Sequence, residues 1–181
     1  MSNSLSVVII TKNEENFIED AIKSAQFAKE VVVLDSNTID KTCEIAKKLG
    51  AIVHQQAWLG FGAQKNHAVN LASNDWVFIL DSDERIPLDL QIEIIETLNN
   101  PLFDGYHVAR LNRFFGKNIK TCGLYPDYSI RLFNRLKGRF NNVPVHESVR
   151  VNGKVTKLKN HMIHLAYEDV SEFIEKQKKY S

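Results

Sequence analysis

The chain has 181 residues, 44% of them apolar and 25% charged, with a formal net charge of +1. That is the composition of one soluble domain, and it excludes a disordered tail, a collagen-like fibre and a supercharged nucleic-acid binder. No apolar run approaches the roughly 20 residues of a spanning helix, and the two cysteines, Cys43 and Cys122, are far apart without metal-ligand spacing, which favours a reducing compartment over a disulfide framework.

The opening MSNSLSVVIITKNEE has no basic residue ahead of its apolar run, so Leu5–Thr11 reads as a first strand and not as a signal peptide. Residues 14–28 read as a helix with Phe17, Ala21, Ile22 and Ala25 on one face. A second apolar strand follows at Glu30–Asp35. A helix over 41–49 is capped by Thr38 or Asp40 and stopped by Gly50. Residues 51–54 give a short strand, 60–72 a Gly-rich entry and a helix, and 75–80 a fourth strand ending in Asp81. Pro87 opens a helix to about Leu98. Alternating strands and helices with fully apolar strands mean βαβ units and a parallel sheet covered on both faces. Ligands of such sheets sit beyond the carboxyl ends of the strands. Three polar clusters fall there: Thr11–Lys12–Asn13, Asp35–Ser36–Asn37 and Asp81–Ser82–Asp83–Glu84.

After Pro101 the pattern changes. Residues 106–110, 129–133 and 148–151 read as strands between basic segments, 151–155 as a hairpin turn around Asn152–Gly153, and 169–180 as an amphipathic helix. That helix stops at Ser181 without a cap, so a longer native chain is expected. The net charge hides a division. Residues 1–105 hold 8 Lys/Arg against 16 Asp/Glu, whereas 106–160 hold 12 against 2. An acidic part suits a metal cation; a basic part suits a phosphate, an acidic sugar, an anionic membrane surface or simply solvent.

Two carboxylates two residues apart at a strand end, Asp81 and Asp83, can share a hard divalent cation such as Mg²⁺ or Mn²⁺; a polar turn gives the same short pattern. No G-x-G-x-x-G and no G-x-x-x-x-G-K-[ST] is present, which argues against a nicotinamide enzyme and a P-loop kinase.

SVVIITKNEE, VVVLDSNTIDKT and VFILDSDE, in that order, together with WLGFGAQKNHA, YPDYSIRLF and VPVHE, resemble an inverting family 2 glycosyltransferase of the GT-A fold, in its lipopolysaccharide-core glucosyltransferase branch. The resemblance spans nearly the whole chain. It implies a Rossmann-like, mostly parallel α/β sheet flanked by helices, with a nucleotide-sugar-binding half (1–105) and an acceptor-binding half (106–181) of one domain. It implies that Thr11 and Asn13 line a nucleotide pocket, that Asp35 binds uracil or ribose, that Lys65 lies near the diphosphate, that Asp81 contacts ribose or sugar, and that Asp83 ligates Mg²⁺ or Mn²⁺, with His164 on the metal or diphosphate or else a structural histidine. One departure is visible. The family's D-S-G-S-T-D-G-T reads Asp35–Ser36–Asn37–Thr38–Ile39–Asp40–Lys41–Thr42 here, with Asn37 suited to keep the turn and Lys41 in place of the second glycine.

Inverting transfer needs a base for the acceptor hydroxyl and something to stabilise the departing diphosphate. Between Tyr106 and Asn160 the only carboxylates are Asp127 and Glu147. By resemblance Glu147 is the general base; Asp127 is in reserve, or is a turn residue after Pro126. His146 orients acceptor or base, or is a core histidine; Trp58 stacks on a sugar or packs; Arg110, Arg113, Arg131 and Arg135 grip an anionic acceptor or are surface charges. The implied partners are a nucleotide sugar, UDP-glucose first, and a lipopolysaccharide-core or related glycan, with peripheral membrane contact at the inner face of the cell membrane and no nucleic acid. A catalytically silent sugar-nucleotide binder and a nucleotidyltransferase stay open beside this reading.

Overall fold

The computed structural model describes residues 4–121, 123–141, 143 and 147–167; the expected helix at 169–180, His146 and Cys122 lie outside them. The first part alternates as expected: β1 (Leu5–Thr11), α1 (Ile18–Ala25), β2 (Glu30–Asp35), α2 (Thr42–Lys48), β3 (Ile52–Gln55), α3 (Phe61–Leu71), β4 (Trp76–Asp81), β5 (Glu84–Arg85) and α4 (Leu88–Asn99). The remainder is β6 (Gly105–Phe114), β7 (Lys117–Asn118), β8 (Asp127–Asn134), β9 (Gly138–Phe140), β10 (Val149–Val151) and β11 (Val155–Tyr167).

One nine-stranded sheet runs β3-β2-β1-β4-β8-β6-β11-β5, with β7 against β6, and β9 and β10 form a separate pair. β1 pairs in parallel with β2 and β4, and β2 with β3. β8 is antiparallel to both β4 and β6, which turns β6 back to the direction of β4; β11 is parallel to β6. Six strands therefore share one direction and their carboxyl ends share one edge of the sheet. Strands from both halves of the sequence enter this sheet.

The alternation of side chains along β1 divides the core in two. Leu5, Val7 and Ile9 pack with Ile18, Ile22, Leu90 and Ile94 on one face, and Val8 packs with Ala68, Val69, Phe133 and Phe140 on the other. Each such fully buried aliphatic side chain contributes about 1.5–3 kcal/mol relative to exposure. α1 is shorter than expected because 14–17 form a turn, with the Phe17 and Ile18 amides both donating to the Glu14 carbonyl.

In the basic half one expectation changes and one element is new. The turn at 151–155 does not join a hairpin: β10 pairs with β9, and β11 with β6. Asp104 diverts it, its Oδ2 accepting from the Lys154 amide while its own amide donates to the Lys154 carbonyl. The new element is β11. Its 13 residues form a long strand between β6 and β5, and both His161 and His164 lie on it.

Candidate functional site

The parallel register brings the polar clusters together. Thr11 stands opposite Asp35 on β2, and Ile10 opposite Asp81 on β4. A cleft of about 980 Å³ opens beyond these ends, lined among others by Thr11, Lys12, Lys65, Asp81, Asp83 and His164. Trp58 and Phe61 form part of its wall, their rings edge-to-face at 4.8 Å and about half exposed.

Lys65 and Arg131 set the charge at the floor. Lys65 comes from the first half of α3 and is buried, with Nζ 3.0 Å from Glu147 Oε1 and 3.2 Å from Asp81 Oδ1. Arg131, buried on β8, places one nitrogen 3.3 Å from Asp81 Oδ2 and another 2.8 Å from Glu84 Oε1, and its Nε donates to Ser129. Burial alone would raise the Asp81 carboxyl, but Lys65 and Arg131 more than offset it and hold it well below the ordinary carboxylate range. Burial pushes Glu84 upward against the pull of Arg131, with Asp81 and Asp83 adding like charge. Burial lowers the Lys65 ammonium, yet Asp81 and Glu147 carry it above its ordinary value despite Arg131. Lys65 is therefore a fixed cation. The sequence leaves Arg131 as a grip for an anionic acceptor or a surface charge; the structure buries it, bonds its three nitrogens to Asp81, Glu84 and Ser129, and sets it in the wall of a cavity beside Glu147.

Asp83 and His164 meet through strand pairing. β5 pairs with β11, His164 opposite Glu84, and the Leu165 amide donates to the Asp83 carbonyl. His164 Nε2 lies 3.3 Å from Asp83 Oδ2, and Nδ1 lies 2.8 Å from Asn112 Oδ1. Asn112 Nδ2 donates to the Leu124 carbonyl, so its Oδ1 accepts and His164 Nδ1 carries the proton. The Nε2 lone pair then faces a carboxylate oxygen, an arrangement completed by a proton or a metal ion. A protonated Nδ1 held by an acceptor is the outer support metal-binding histidines use. No group of three or more His, Cys, Asp or Glu suited to a metal is found among the described residues. Two protein ligands suit Mg²⁺-type ions only when substrate oxygens and water complete the shell.

The other expected residues are placed differently. Asp35 is fully buried, and its Oδ2 accepts from the Thr38 amide. Asn13 latches the loop above it, its amide donating to Thr38 Oγ1 and its Oδ1 accepting from the Ile39 amide. Neither is among the cleft-lining side chains, whereas Thr11 is, with its Oγ1 buried and without a hydrogen-bond partner among the described residues. Asn37 takes the left-handed conformation (φ 59°), and Lys41 sits at φ −80°, so the two replaced glycines leave no strain at 41. Asp127 is half exposed and paired with Arg110 at 2.7 Å. His161 packs edge-on against Tyr125. His146 lies outside the described residues. Sequence reasoning missed Asn112, which carries no motif; only strand register places it beside His164.

A second cavity of about 870 Å³ shares Lys65, Asp81, Arg110 and Glu147 with the first and adds His107, Tyr128, Ser129 and Arg150. Glu147 thus stands where the two spaces join. α3 approaches Asn141 and Glu147 closely at Gly62, where an added Cβ would collide with the Asn141 carbonyl oxygen and lie 3.7 Å from Glu147 Cβ. Gly62→Ala is expected to destabilise the fold by about 1–3 kcal/mol, a Tm drop of roughly 2–12 °C, and to cost turnover by moving Glu147 off Lys65. Calorimetric melting with a transfer assay checks both, and an unchanged melt shows that Asn141 moves aside at little cost.

The chain matches the Glycosyl transferase family 2 profile over residues 6–151. It belongs to that family. An uncharacterized glycosyltransferase of Rickettsia typhi is 33% identical over 98% of this chain, which spans 65% of that protein's length. The lipopolysaccharide core biosynthesis glycosyltransferase LpsC of Rhizobium meliloti is 29% identical over 98% of this chain and 68% of its own. Among solved structures, S. aureus TarS in complex with UDP-GlcNAc superposes with a TM-score of 0.68 at 16% identity, covering 92% of this chain and 59% of that one. Glucosyl-3-phosphoglycerate synthase from Mycobacterium tuberculosis, in complex with Mn²⁺, UDP and glucosyl-3-phosphoglycerate, does so at 0.56 and 23% identity, covering 74% and 57%. These likenesses establish the GT-A α/β fold for this family 2 member.

Proposed function

We propose that this protein transfers a hexose, glucose first, from a UDP-sugar to a lipopolysaccharide-core or related glycan, with inversion at the anomeric carbon. The observation that carries the reading is Glu147 at the junction of two cavities, beside a cleft whose rim brings Asp83 and His164 within 3.3 Å. Family membership, LpsC among the relatives, and UDP, UDP-GlcNAc and Mn²⁺ in structural neighbours support it.

The donor occupies the larger cleft. Thr11 lines the cleft beside the nucleotide, and Lys65 and Lys12 supply positive charge for the diphosphate. Asp83 and His164 Nε2 are the residues that would hold Mg²⁺ or Mn²⁺, their facing lone pairs fitting a cation. Such an ion neutralises charge on a diphosphate leaving group. The acceptor enters the second cavity. Glu147 accepts the acceptor hydroxyl proton as that oxygen bonds to the anomeric carbon and the bond to the diphosphate breaks. Fixed as an ammonium, Lys65 stays next to the leaving group without needing to gain a proton. No helix among the described residues is long and apolar enough to cross a membrane, and work on a lipid-linked acceptor is assigned to peripheral contact with the membrane surface.

Thermal-shift measurements over a panel of nucleotide sugars, with and without Mn²⁺, test the donor. UDP-glucose is expected to stabilise the protein most, by about 2.7 kcal/mol at a hundredfold excess over its Kd, and the effect is expected to need Mn²⁺. A panel in which no UDP-sugar shifts the melt overturns the reading. Stabilisation without turnover on any glycan acceptor reduces the protein to a silent binder.

A further inference from the structure

The turn between β6 and β7 exposes apolar surface that no core explains. Phe115 is 45% exposed and Leu124 41% exposed, and with Phe114 and Ile119 they border an almost wholly apolar hollow of about 360 Å³. Phe115 adopts φ 48°, a left-handed conformation costly for a bulky residue. A glycine there would relieve the backbone, so a surface aromatic is held at the cost of fold stability.

The charge around this tip has one sign. From Gly105 to Pro126 the sequence holds Arg110, Arg113, Lys117 and Lys120 and no Asp or Glu. Arg110 is paired with Asp127, but Arg113, Lys117 and Lys120 are exposed and make no salt bridge among the described residues. Lys120 lies 5.7 Å from the Tyr125 ring, and Arg113 Nε holds the turn by donating to the Gly116 carbonyl. Aromatic and aliphatic side chains flanked by unpaired cations match the boundary between acyl chains and anionic headgroups.

Topology fixes where this tip points. β6 runs in the direction of β4, so its carboxyl end at Phe114 leaves the sheet on the edge that carries Thr11 and Asp81. Asn112, two residues earlier, bonds both His164 and the Leu124 carbonyl, so the tip is tied to the cleft rim.

We propose that the β6–β7 tip, with Phe115 and Leu124 inserted and Arg113, Lys117 and Lys120 against headgroups, docks this protein on an anionic phospholipid surface with the cleft mouth beside the bilayer. The purpose of the docking rests on transfer to a lipid-linked acceptor; its chemistry does not.

Co-sedimentation with phosphatidylcholine vesicles, with and without phosphatidylglycerol, tests it. Binding is expected only to the anionic vesicles and is expected to fall with salt. Removing one basic side chain should weaken partitioning about fivefold, so the double variant Lys117→Ala/Lys120→Ala should lose roughly 25-fold. Phe115→Ser with Leu124→Ser should lose the salt-resistant part, and calorimetric UDP binding should survive in both variants as the check on folding. Equal binding to neutral vesicles, or unchanged binding by both variants, overturns the proposal. So does a dimer in vesicle-free sedimentation that Phe115→Ser dissolves, since the face then belongs to a second copy. Vesicle binding without any UDP binding by the native protein leaves the docking standing and removes the donor reading instead.

Discussion

Glu147→Gln is expected to leave UDP-sugar affinity close to native and to cut transfer by about 10²–10⁴-fold, the range a positioned general base contributes. The substitution is nearly isosteric, and Gln Oε1 can still accept from Lys65, which keeps its second partner Asp81 at 3.2 Å. Lys65 is therefore not left as an unpaired buried charge, the usual cause of collapse in such variants. Asp127→Asn is the matched control. Asp127 is half exposed, is paired with Arg110 and borders only the second cavity, so the pair it breaks is worth at most about 1 kcal/mol. Transfer of labelled hexose to a core-glycan acceptor measures both variants. Full activity in Glu147→Gln with a large loss in Asp127→Asn would move the base to Asp127.

The first hundred residues were legible because their signals are local. Strands such as LSVVIIT and EVVVLD are buried on both faces, and β-branched residues favour that setting, so β1 and β2 match their expected bounds. The gathering of Thr11, Asp35 and Asp81 followed from parallel topology alone. What the sequence concealed is long-range. LKNHMIHL in β11 mixes polar and apolar residues without clear alternation, and its strand character comes from pairing with β6 and β5. Asn112 and Arg131 acquire their partners through that pairing and through β8. Spacing could not show that Arg131 is a buried counter-ion for Asp81 and Glu84, because these partners lie 50 and 47 residues away. Local pattern likewise shows Asp35 only as a strand-end carboxylate; its burial depends on a loop that Asn13 latches from 25 and 26 residues away.

Asp83→Ala is expected to abolish the difference between UDP binding with and without Mn²⁺, and to lower kcat/KM by about 10²–10³-fold, the cost of losing one well-placed stabiliser of developing charge. The argument is local. Asp83 supplies one of the two atoms that converge at 3.3 Å, and its side chain bonds nothing else among the described residues. Its structural contribution is its backbone carbonyl, which accepts from the Leu165 amide and is kept in the alanine variant. His164 retains Asn112, so its ring stays oriented while the pair is broken. Asp81 is not a substitute, since Lys65 and Arg131 already engage both of its oxygens. Titration calorimetry of UDP in Mn²⁺ and in chelator reads the effect without relying on turnover. A variant that still binds UDP more tightly in Mn²⁺, by the native ratio, would remove Asp83 from the metal site and leave the facing pair as a histidine–carboxylate hydrogen bond.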